Sequence, residues 1–317
     1  MINESTRNSI NNIDDIYIPH SAMKVAINGI LQSVELSKSA KEPENCVLSG
    51  PAGTGKTTIC NIIVNKFKKS LQNRVDREVW IVPAFYALIP SPVTIKGMAS
   101  AMLHSLGDSA PTRGNALELT YRLGMLLKQC ETKVIILDEL QHLLILDNGR
   151  NNHVKDWIKT IINEFKVPIV IVGVDDCDKV ISSSAQLSRR FTSRYQLKNL
   201  SFGAKKKGQY RKFIDDFSKG YKEVVEISTL PDFRTRTSCL ALYVATSGNP
   251  SDTVRLFKKA TLNAFDNDRT DVRVTDFSKA MKQIVLPNAM RTKLNPFDVT
   301  LNQLNQIVQA NTKRVKK

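Results

Sequence analysis

The segment best suited to chemistry lies between residues 50 and 58, where glycines surround a lysine that is followed by threonines. It reads Gly50-Pro51-Ala52-Gly53-Thr54-Gly55-Lys56-Thr57-Thr58 and fits the pattern G-x-x-x-x-G-K-[ST] in full. Glycines let backbone N–H groups approach phosphates closely, and the start of a following helix adds a favourable dipole. In this pattern Lys56 reaches the β- and γ-phosphates, and the Thr57 hydroxyl binds Mg²⁺. The whole segment is therefore predicted to bind ATP and Mg²⁺.

A second chemical segment is an apolar run that ends in two acids, Val134-Ile135-Ile136-Leu137-Asp138-Glu139. Asp138 is predicted to stand at the carboxyl end of a buried strand and to hold Mg²⁺, directly or through water. Glu139 is predicted to polarise the water that attacks the γ-phosphate. A pure nucleotide switch often lacks the second acid, so the pair favours hydrolysis.

Four further side chains are candidates for contact with the nucleotide. Asp175 follows an apolar strand and is the nearest candidate to sense the γ-phosphate, although Asn, Thr or Ser is more usual there. Arg189 and Arg190 suit transition-state charge because a guanidinium stays protonated and binds two oxygens. If either arginine acts on the nucleotide of a neighbouring subunit, the protein must form an oligomer. Two solvated surface arginines fit the spacing equally well. Arg255, in the first turns of a predicted helix, is placed to reach back to the nucleotide.

Alternating strands and helices are predicted to position these residues. Strands are predicted at 46–49, 79–85, 134–137 and 168–173, and helices at 20–39, 57–71, 95–106, 115–130 and 152–165. This alternation indicates a parallel α/β sheet. After Leu200 the pattern is helical, at 206–219, 235–247, 251–264 and 274–284, with a short amphipathic stretch at 299–308.

The predicted fold class is α/β: a P-loop NTPase with a central parallel sheet flanked by helices, followed by a small helical lid domain. We expect a flexible N-terminal segment over 1–20 and an α/β ATPase core over 21–202. The lid domain is expected over 203–286 and a basic C-terminal tail over 287–317.

Composition limits the class of protein. Hydrophobic residues make up 42% of the 317 residues, which excludes wholesale disorder, and no apolar run is long enough to span a membrane. The five cysteines are scattered, which disfavours a zinc site and a disulfide framework. We therefore expect a soluble, cytoplasmic protein with no membrane partner.

The net charge of +16 is unevenly distributed. Residues 1–200 carry 24 basic and 19 acidic side chains, whereas residues 201–317 carry 22 and 11. Such a surplus favours a polyanionic partner, above all nucleic acid, although a merely soluble basic surface is equally compatible with charge alone.

Together these motifs resemble the AAA+ ATPases, and more narrowly the TniB/TnsC family of transposition regulators. The resemblance covers roughly residues 16–257. It is carried by Gly50–Thr58, Leu137–Leu144, Asn163–Gly173 and the Gln-Leu-x-x-Arg-Phe box of Gln186–Phe191. Two positions depart from the family: Gly173-Val174 replaces the usual Gly-Thr at a strand tip, and His142 is shifted by one residue.

The resemblance implies an ATP-dependent homo-oligomer, a ring or helical filament, on double-stranded DNA. Such regulators serve Tn7-like and Tn5053-like elements, including CRISPR-associated transposons. They bridge a target-selection protein (TniQ/TnsD-like) to a DDE transposase (TnsB/TniA-like), and ATP hydrolysis dismantles the assembly. The resemblance implies Arg190 as the trans finger, with Arg189 the runner-up, and a sensor-2 role for Arg255.

If an oligomer encircles DNA, the insertion between the second strand and Asp138 is the natural source of contacts. Lys96, Thr112 and Arg113 are suited to bind phosphate oxygens there without reading base sequence, although a solvated helix cap fits each position equally well. The same two interpretations apply to Lys205–Lys207 and to the basic end, Lys313–Lys317.

Two other functions are compatible with the motifs. An Orc/Cdc6-like replication initiator or a clamp-loader-type AAA+ ATPase is one, but the 33 residues after Ile284 look too short and irregular for the winged helix of an initiator. A signalling NTPase that binds proteins is the other, and strong salt-dependent binding to duplex DNA would exclude it.

Overall fold

The computed structural model describes residues 10–74, 77–144, 150–203 and 208–315. This part of the chain divides into two compact units, one over residues 21–197 and one that joins the residues up to 20 to those from 198 onward. The basic residues Lys205–Lys207, Lys316 and Lys317 lie outside the described residues, as do residues 1–9 of the predicted N-terminal segment.

The first unit is built around a five-stranded sheet in the order β4-β5-β6-β1-β7, in which every strand pairing is parallel. Its strands are β1 (Cys46–Ser49), β4 (Ala84–Leu88), β5 (Val134–Asp138), β6 (Ile169–Gly173) and β7 (Ser193–Gln196). A separate antiparallel hairpin is formed by β2 (Ser70–Arg74) and β3 (Arg77–Ile81). The predicted parallel α/β sheet is therefore confirmed.

Helices cover both faces of the sheet, which explains why its central strands are apolar throughout. They are α1 (Ser21–Ser37), α2 (Lys56–Lys66), α3 (Ile95–Leu106), α4 (Ala116–Gln129), α5 (Arg150–Phe165), α6 (Cys177–Ser182) and α7 (Ala185–Arg190). Along β5, Ile135 and Leu137 join one buried cluster and Val134 and Ile136 join the other. Alternate side chains of one strand therefore anchor opposite helical layers.

Two predictions for residues 57–85 were wrong. The helix predicted over 57–71 ends at Lys66, and the single strand predicted over 79–85 is two strands, β3 and β4. Pro83, which lacks an N–H group, separates them. As a result β3 pairs with β2 in the hairpin, while β4 enters the main sheet beside β5.

The second unit is helical. Its helices are α8 (Gln209–Val224), α9 (Arg236–Thr246), α10 (Pro250–Phe265), α11 (Val274–Gln283) and α12 (Leu301–Val315). Aromatic rings fill its core, and Phe257 packs edge-on against Phe217 and Phe277 at centroid separations of 5.0 and 5.1 Å. Such edge-to-face pairs are favoured by the charge distribution of the rings.

Both ends of the chain contribute to this helical unit. Ile13, in a short 3₁₀ helix within the segment expected to be flexible, is fully buried in the aromatic cluster. The amphipathic stretch predicted at 299–308 is part of α12, whose Leu304 and Ile307 are buried against α9. Hydrophobic side chains at both ends thus gain a packed environment that a mobile segment would not provide. Among the helices described, none has the length and apolar character needed to span a membrane.

Candidate nucleotide-binding site

The segment from Gly50 to Thr58 connects β1 to α2 and adopts backbone conformations that require glycine. Gly50 has φ 150°, and a Cβ there would lie 2.5 Å from the carbonyl oxygen of Leu197. Gly55, at φ 100°, precedes α2 and provides no side-chain cap, so the amides of the first turn have no side-chain acceptor at that position. An anion is the usual partner of such amides, so this turn fits a phosphate group.

Lys56 is the central cation of the site. Its Nζ donates to the carbonyl oxygens of Gly50, at 2.6 Å, and Pro51, at 2.9 Å. Burial lowers the pKa of Lys56, while Asp138, Glu139 and Asp175 act in the opposite direction. The strands thus bring three predicted acidic residues into the electrostatic environment of the predicted lysine.

The remaining residues of the turn differ in exposure. Thr54 is buried, and its hydroxyl donates to the carbonyl oxygen of Pro51 at 2.8 Å, which braces the turn. Ala52 and Gly53 are exposed, as are Thr57 and Thr58 at the start of α2. The Thr57 hydroxyl and the Asp138 carboxylate are both oxygen ligands, the type that Mg²⁺ prefers.

Asp138 ends β5 and is 4% exposed. Its Oδ2 accepts a hydrogen bond of 2.7 Å from the Tyr86 hydroxyl on β4, and its Oδ1 accepts one of 2.7 Å from the backbone N–H of Glu139. A carboxylate has about four lone-pair sites, so two are left for a metal ion or water. Burial, with the adjacent Asp138 carboxylate, raises the pKa of Tyr86, which therefore stays protonated and donates.

Glu139 lies in the left-handed region, at φ 67°, which is uncommon for a residue with a side chain. Its carboxylate accepts a hydrogen bond from the side-chain amide of Gln141. Gln141 belongs to the 3₁₀ helix Leu140–Leu144, which starts directly after the two acids. Backbone and side chain of Glu139 are therefore both held in place.

Tyr86 and Gln141 are two residues at this site that the motifs did not single out. Tyr86 carries no motif signal, because only the sheet order, which places β4 beside β5, brings it to Asp138. Gln141 lies inside the segment that carries the family resemblance, and its spacing of two residues from Glu139 is the signal that was available.

Asp175, the candidate sensor of the γ-phosphate, follows β6 and is exposed. Its Oδ1 accepts a hydrogen bond of 3.1 Å from the side-chain amide of Gln196 on β7. Gln196 pairs with Ser49, the residue directly before the turn, so Asp175 lies near the turn.

Arg189 and Arg190 end α7 and have different surroundings. The Arg190 guanidinium donates to Asn163 Oδ1, at 2.9 and 3.3 Å, and to the carbonyl oxygen of Gln186 at 3.3 Å. Arg189 is exposed, and its side chain makes no hydrogen bond or ion pair with any residue in the described ranges. The trans role assigned to Arg190, with Arg189 as runner-up, stays a prediction.

Arg255 lies on α10 in the helical unit. The turn before it is tight, since Gly248 has φ 76° and a Cβ there would meet the carbonyl oxygen of Leu200 at 2.0 Å. The Arg255 guanidinium is 3.8 Å from the carboxylate of Asp252, which is 2% exposed. Its sensor-2 role stays a prediction.

The three candidate DNA contacts are all exposed. Lys96 lies in the first turn of α3, and Thr112 and Arg113 lie in the turn before α4. Arg122 holds this turn: it pairs with Asp108 at 2.7 Å and donates to the carbonyl oxygens of Ala110 and Arg113, at 2.8 and 3.1 Å. Thr112 and Arg113 therefore project from a braced loop.

Comparisons with known proteins agree with this geometry. A family model described as "Bacterial TniB protein" matches residues 10–199. A search of curated proteins finds no match.

Several solved structures share the fold. The Aeropyrum pernix ORC1 protein, solved in complex with DNA, is 18% identical, with 88% of this chain and 69% of that chain covered at a TM-score of 0.62. Cdc6p from Pyrobaculum aerophilum is 15% identical, with coverage of 96% and 89% at a TM-score of 0.56. These similarities establish an AAA+ P-loop ATPase fold, with the parallel sheet followed by a helical region, as the sequence predicts.

Proposed function

Because the chain belongs to the TniB family, we propose that it is an ATP-hydrolysing, DNA-binding regulator of DNA transposition. One observation carries the enzymatic part of this proposal: the turn 50–58, which follows β1, and the acids Asp138 and Glu139, at the end of β5, lie at the same edge of one parallel sheet. A phosphate-binding turn, a metal ligand and a base are the parts that ATP hydrolysis requires.

Binding is assigned to the turn and its neighbours. The amides of residues 50–58 would hold the phosphates, with Lys56 paired to their oxygens, and Thr57 and Asp138 would hold Mg²⁺. When bound, Mg²⁺ neutralises charge on the phosphate oxygens. Tyr86 keeps the Asp138 carboxylate oriented through its hydrogen bond to Oδ2.

Hydrolysis is assigned to Glu139 as general base. Its carboxylate accepts a proton from water as the water oxygen bonds to the γ-phosphorus. The bond from that phosphorus to the β–γ bridging oxygen breaks, so the products are ADP and inorganic phosphate, and the proton is then passed to solvent. Arg190 or Arg189 of a neighbouring subunit would stabilise the transition-state charge.

Binding to double-stranded DNA is assigned to Lys96, Thr112 and Arg113, which would contact phosphates without reading bases. Because the finger is supplied in trans, ATP binding would favour a homo-oligomer, a ring or filament on the duplex, and hydrolysis would favour disassembly. The assembled form would bridge a target-selection protein to the transposase.

Electron microscopy with duplex DNA and a non-hydrolysable ATP analogue tests this proposal. We expect nucleotide-dependent rings or filaments for the wild type and none for Lys56→Ala, which removes the phosphate-binding cation. Lys66→Ala, at the other end of α2, is the matched control and should assemble normally. Absence of ordered assemblies in the wild type, at low salt and saturating nucleotide, would refute the proposal.

A second candidate function, an Orc/Cdc6-like initiator, is favoured by the fold shared with the archaeal ORC1 and Cdc6p structures. The two functions differ in sequence preference. A competition assay between duplexes of unrelated sequence distinguishes the two functions. A regulator that contacts only phosphates binds all duplexes with equal affinity, whereas an initiator that contacts bases discriminates by about 1–3 kcal/mol for each mismatched base pair.

A further inference from the structure

The side chain of Gln141 connects the general base to the tip of a neighbouring strand. Its amide nitrogen donates to the Glu139 carboxylate. Its amide oxygen faces the backbone N–H of Val174, at 3.3 Å, and the thiol of Cys177, at 3.7 Å. Val174 directly follows β6, so one side chain joins the ends of β5 and β6.

The partners determine which way this amide points. The Val174 N–H is a donor, so it requires the amide oxygen, and the Glu139 carboxylate is an acceptor, so it requires the NH₂ group. A reversed amide would lose both interactions, because it would place two donors together and two acceptors together. The orientation of Gln141 is therefore specified by its neighbours at both ends.

Gly173 leaves the space that this arrangement needs. A Cβ on Gly173 would lie 2.5 Å from the amide oxygen of Gln141 and 2.1 Å from the Cys177 sulfur. Both distances are too short for any real contact, so a larger residue at 173 would push the Gln141 side chain out of position. The glycine at the strand tip is thus a requirement of the bridge.

Glu139 depends on this bridge for the direction of its carboxylate. Its backbone is fixed by the hydrogen bond from its N–H to Asp138 and by the φ of 67°. The rotatable side chain is then held by the side-chain amide of Gln141. A general base must point at the proton it removes, and a misplacement of about 1 Å costs about 100-fold in rate.

We propose that Gln141 is a positioning residue that directs the Glu139 carboxylate and ties it to the tip of β6. This inference rests on the proposed ATPase function and deepens it. The resemblance predicts a polar side chain after Gly173, whereas this chain has Val174. The backbone N–H of Val174, through its hydrogen bond to Gln141, provides the polar contact at that position. Gln141 acts on hydrolysis and leaves nucleotide binding to the turn 50–58.

The test compares Gln141→Glu with Gln141→Ala in the full chain. Glutamate keeps the size of the side chain and its acceptor for Val174, but a carboxylate does not donate to Glu139. A packing role is therefore preserved in Gln141→Glu, whereas a donor role is lost. Gln72→Glu, an exposed position on β2, is the matched control for the added charge.

We expect both Gln141 variants to lower kcat for ATP about 10- to 100-fold with duplex DNA present, while KM and the Kd for a fluorescent ATP analogue change less than about twofold. Gln72→Glu should match the wild type. A wild-type kcat in Gln141→Glu would overturn the inference and leave the ATPase function standing, as would a loss of analogue binding equal to the loss of kcat. A wild-type protein that hydrolyses no ATP would overturn both.

Discussion

The two units use tyrosine hydroxyls in different ways. In the α/β unit Tyr86 donates to Asp138, a carboxylate at the end of the sheet with lone pairs to spare. In the helical unit the Tyr210 hydroxyl lies 3.0 and 3.1 Å from the hydroxyls of Thr246 and Thr253, and all three residues are fully buried. Burial raises the pKa of both tyrosines. One hydroxyl supports a carboxylate that we propose as a Mg²⁺ ligand, whereas the other completes a closed network.

The candidate base and the helical core also differ in their surroundings. Glu139, with a positive φ, carries a local conformational cost of roughly 1–3 kcal/mol next to the candidate base. The helical unit instead surrounds Phe257 with aromatic rings at favourable angles. Converging polar side chains therefore surround the candidate site of the α/β unit, whereas closed aromatic packing forms the centre of the helical unit.

Glu139→Gln should give the largest effect on the chemical side of this comparison. The amide keeps the shape of the side chain but is a far weaker base, so kcat should fall about 1,000-fold while the Kd for a fluorescent ATP analogue stays unchanged. Steady-state ATPase assays with saturating DNA measure this. Glu164→Gln, exposed on α5, is the control. A kcat within threefold of the wild type would remove Glu139 from its assigned role.

Phe257→Ala should give the largest effect on the stability side. The ring contacts several other aromatic residues of the helical core, and its removal leaves a cavity. The free energy of unfolding should fall by about 3–5 kcal/mol, measured by urea denaturation. Leu117→Ala, at a side chain that is 79% exposed, should change it by less than about 0.5 kcal/mol. Equal losses in the two variants would contradict the assignment.

The variants Tyr86→Phe and Tyr210→Phe each remove one of the two hydroxyls. Tyr86→Phe should raise the Mg²⁺ concentration for half-maximal hydrolysis roughly fivefold, because a bond worth about 1 kcal/mol no longer orients Asp138. Tyr210→Phe should lower the free energy of unfolding by about 1 kcal/mol with no change in hydrolysis. If Tyr210→Phe altered the Mg²⁺ dependence as strongly as Tyr86→Phe, the division between the units would be lost.

Arg113→Ala should have the smallest effect. Loss of one phosphate contact lowers the magnitude of the slope of log K against log salt concentration by about 0.9 for duplex DNA. It weakens binding equally for duplexes of unrelated sequence. Fluorescence anisotropy at several salt concentrations measures both. Arg234→Ala, an exposed arginine of the helical unit, is the control. An unchanged slope in Arg113→Ala would exclude this residue from the interface.

The sequence singles out the candidate nucleotide-binding residues because their signals are local. The spacing of Gly50, Gly55 and Lys56 lies within one turn, and the run before Asp138 is apolar on both faces, as a central parallel strand requires. The hairpin β2–β3 was not predictable in the same way, since the helix predicted over 57–71 includes Ser70 and Leu71, the first two residues of β2. Pro83 was the available sign that the strand predicted over 79–85 is interrupted.

Features that depend on the order of the strands could not be predicted from a single sequence. The strand β7 is short, polar and at the edge of the sheet, where alternate residues are exposed, so it carries no apolar run. Tyr86 and Gln141 acquire their roles only when β4 and β6 are placed on either side of β5. Contacts of this kind link residues separated by many positions along the chain.

The turn held by Arg122 has a consequence for the energetics of association. A flexible loop loses conformational entropy when it binds, at about 1–2 kcal/mol for each residue that becomes ordered. The guanidinium of Arg122 orders residues 108–113 during folding instead, through its bonds to Asp108, Ala110 and Arg113. A phosphate that contacted Thr112 and Arg113 would therefore meet a preorganised surface, and Arg122 would strengthen binding by keeping the loop ordered.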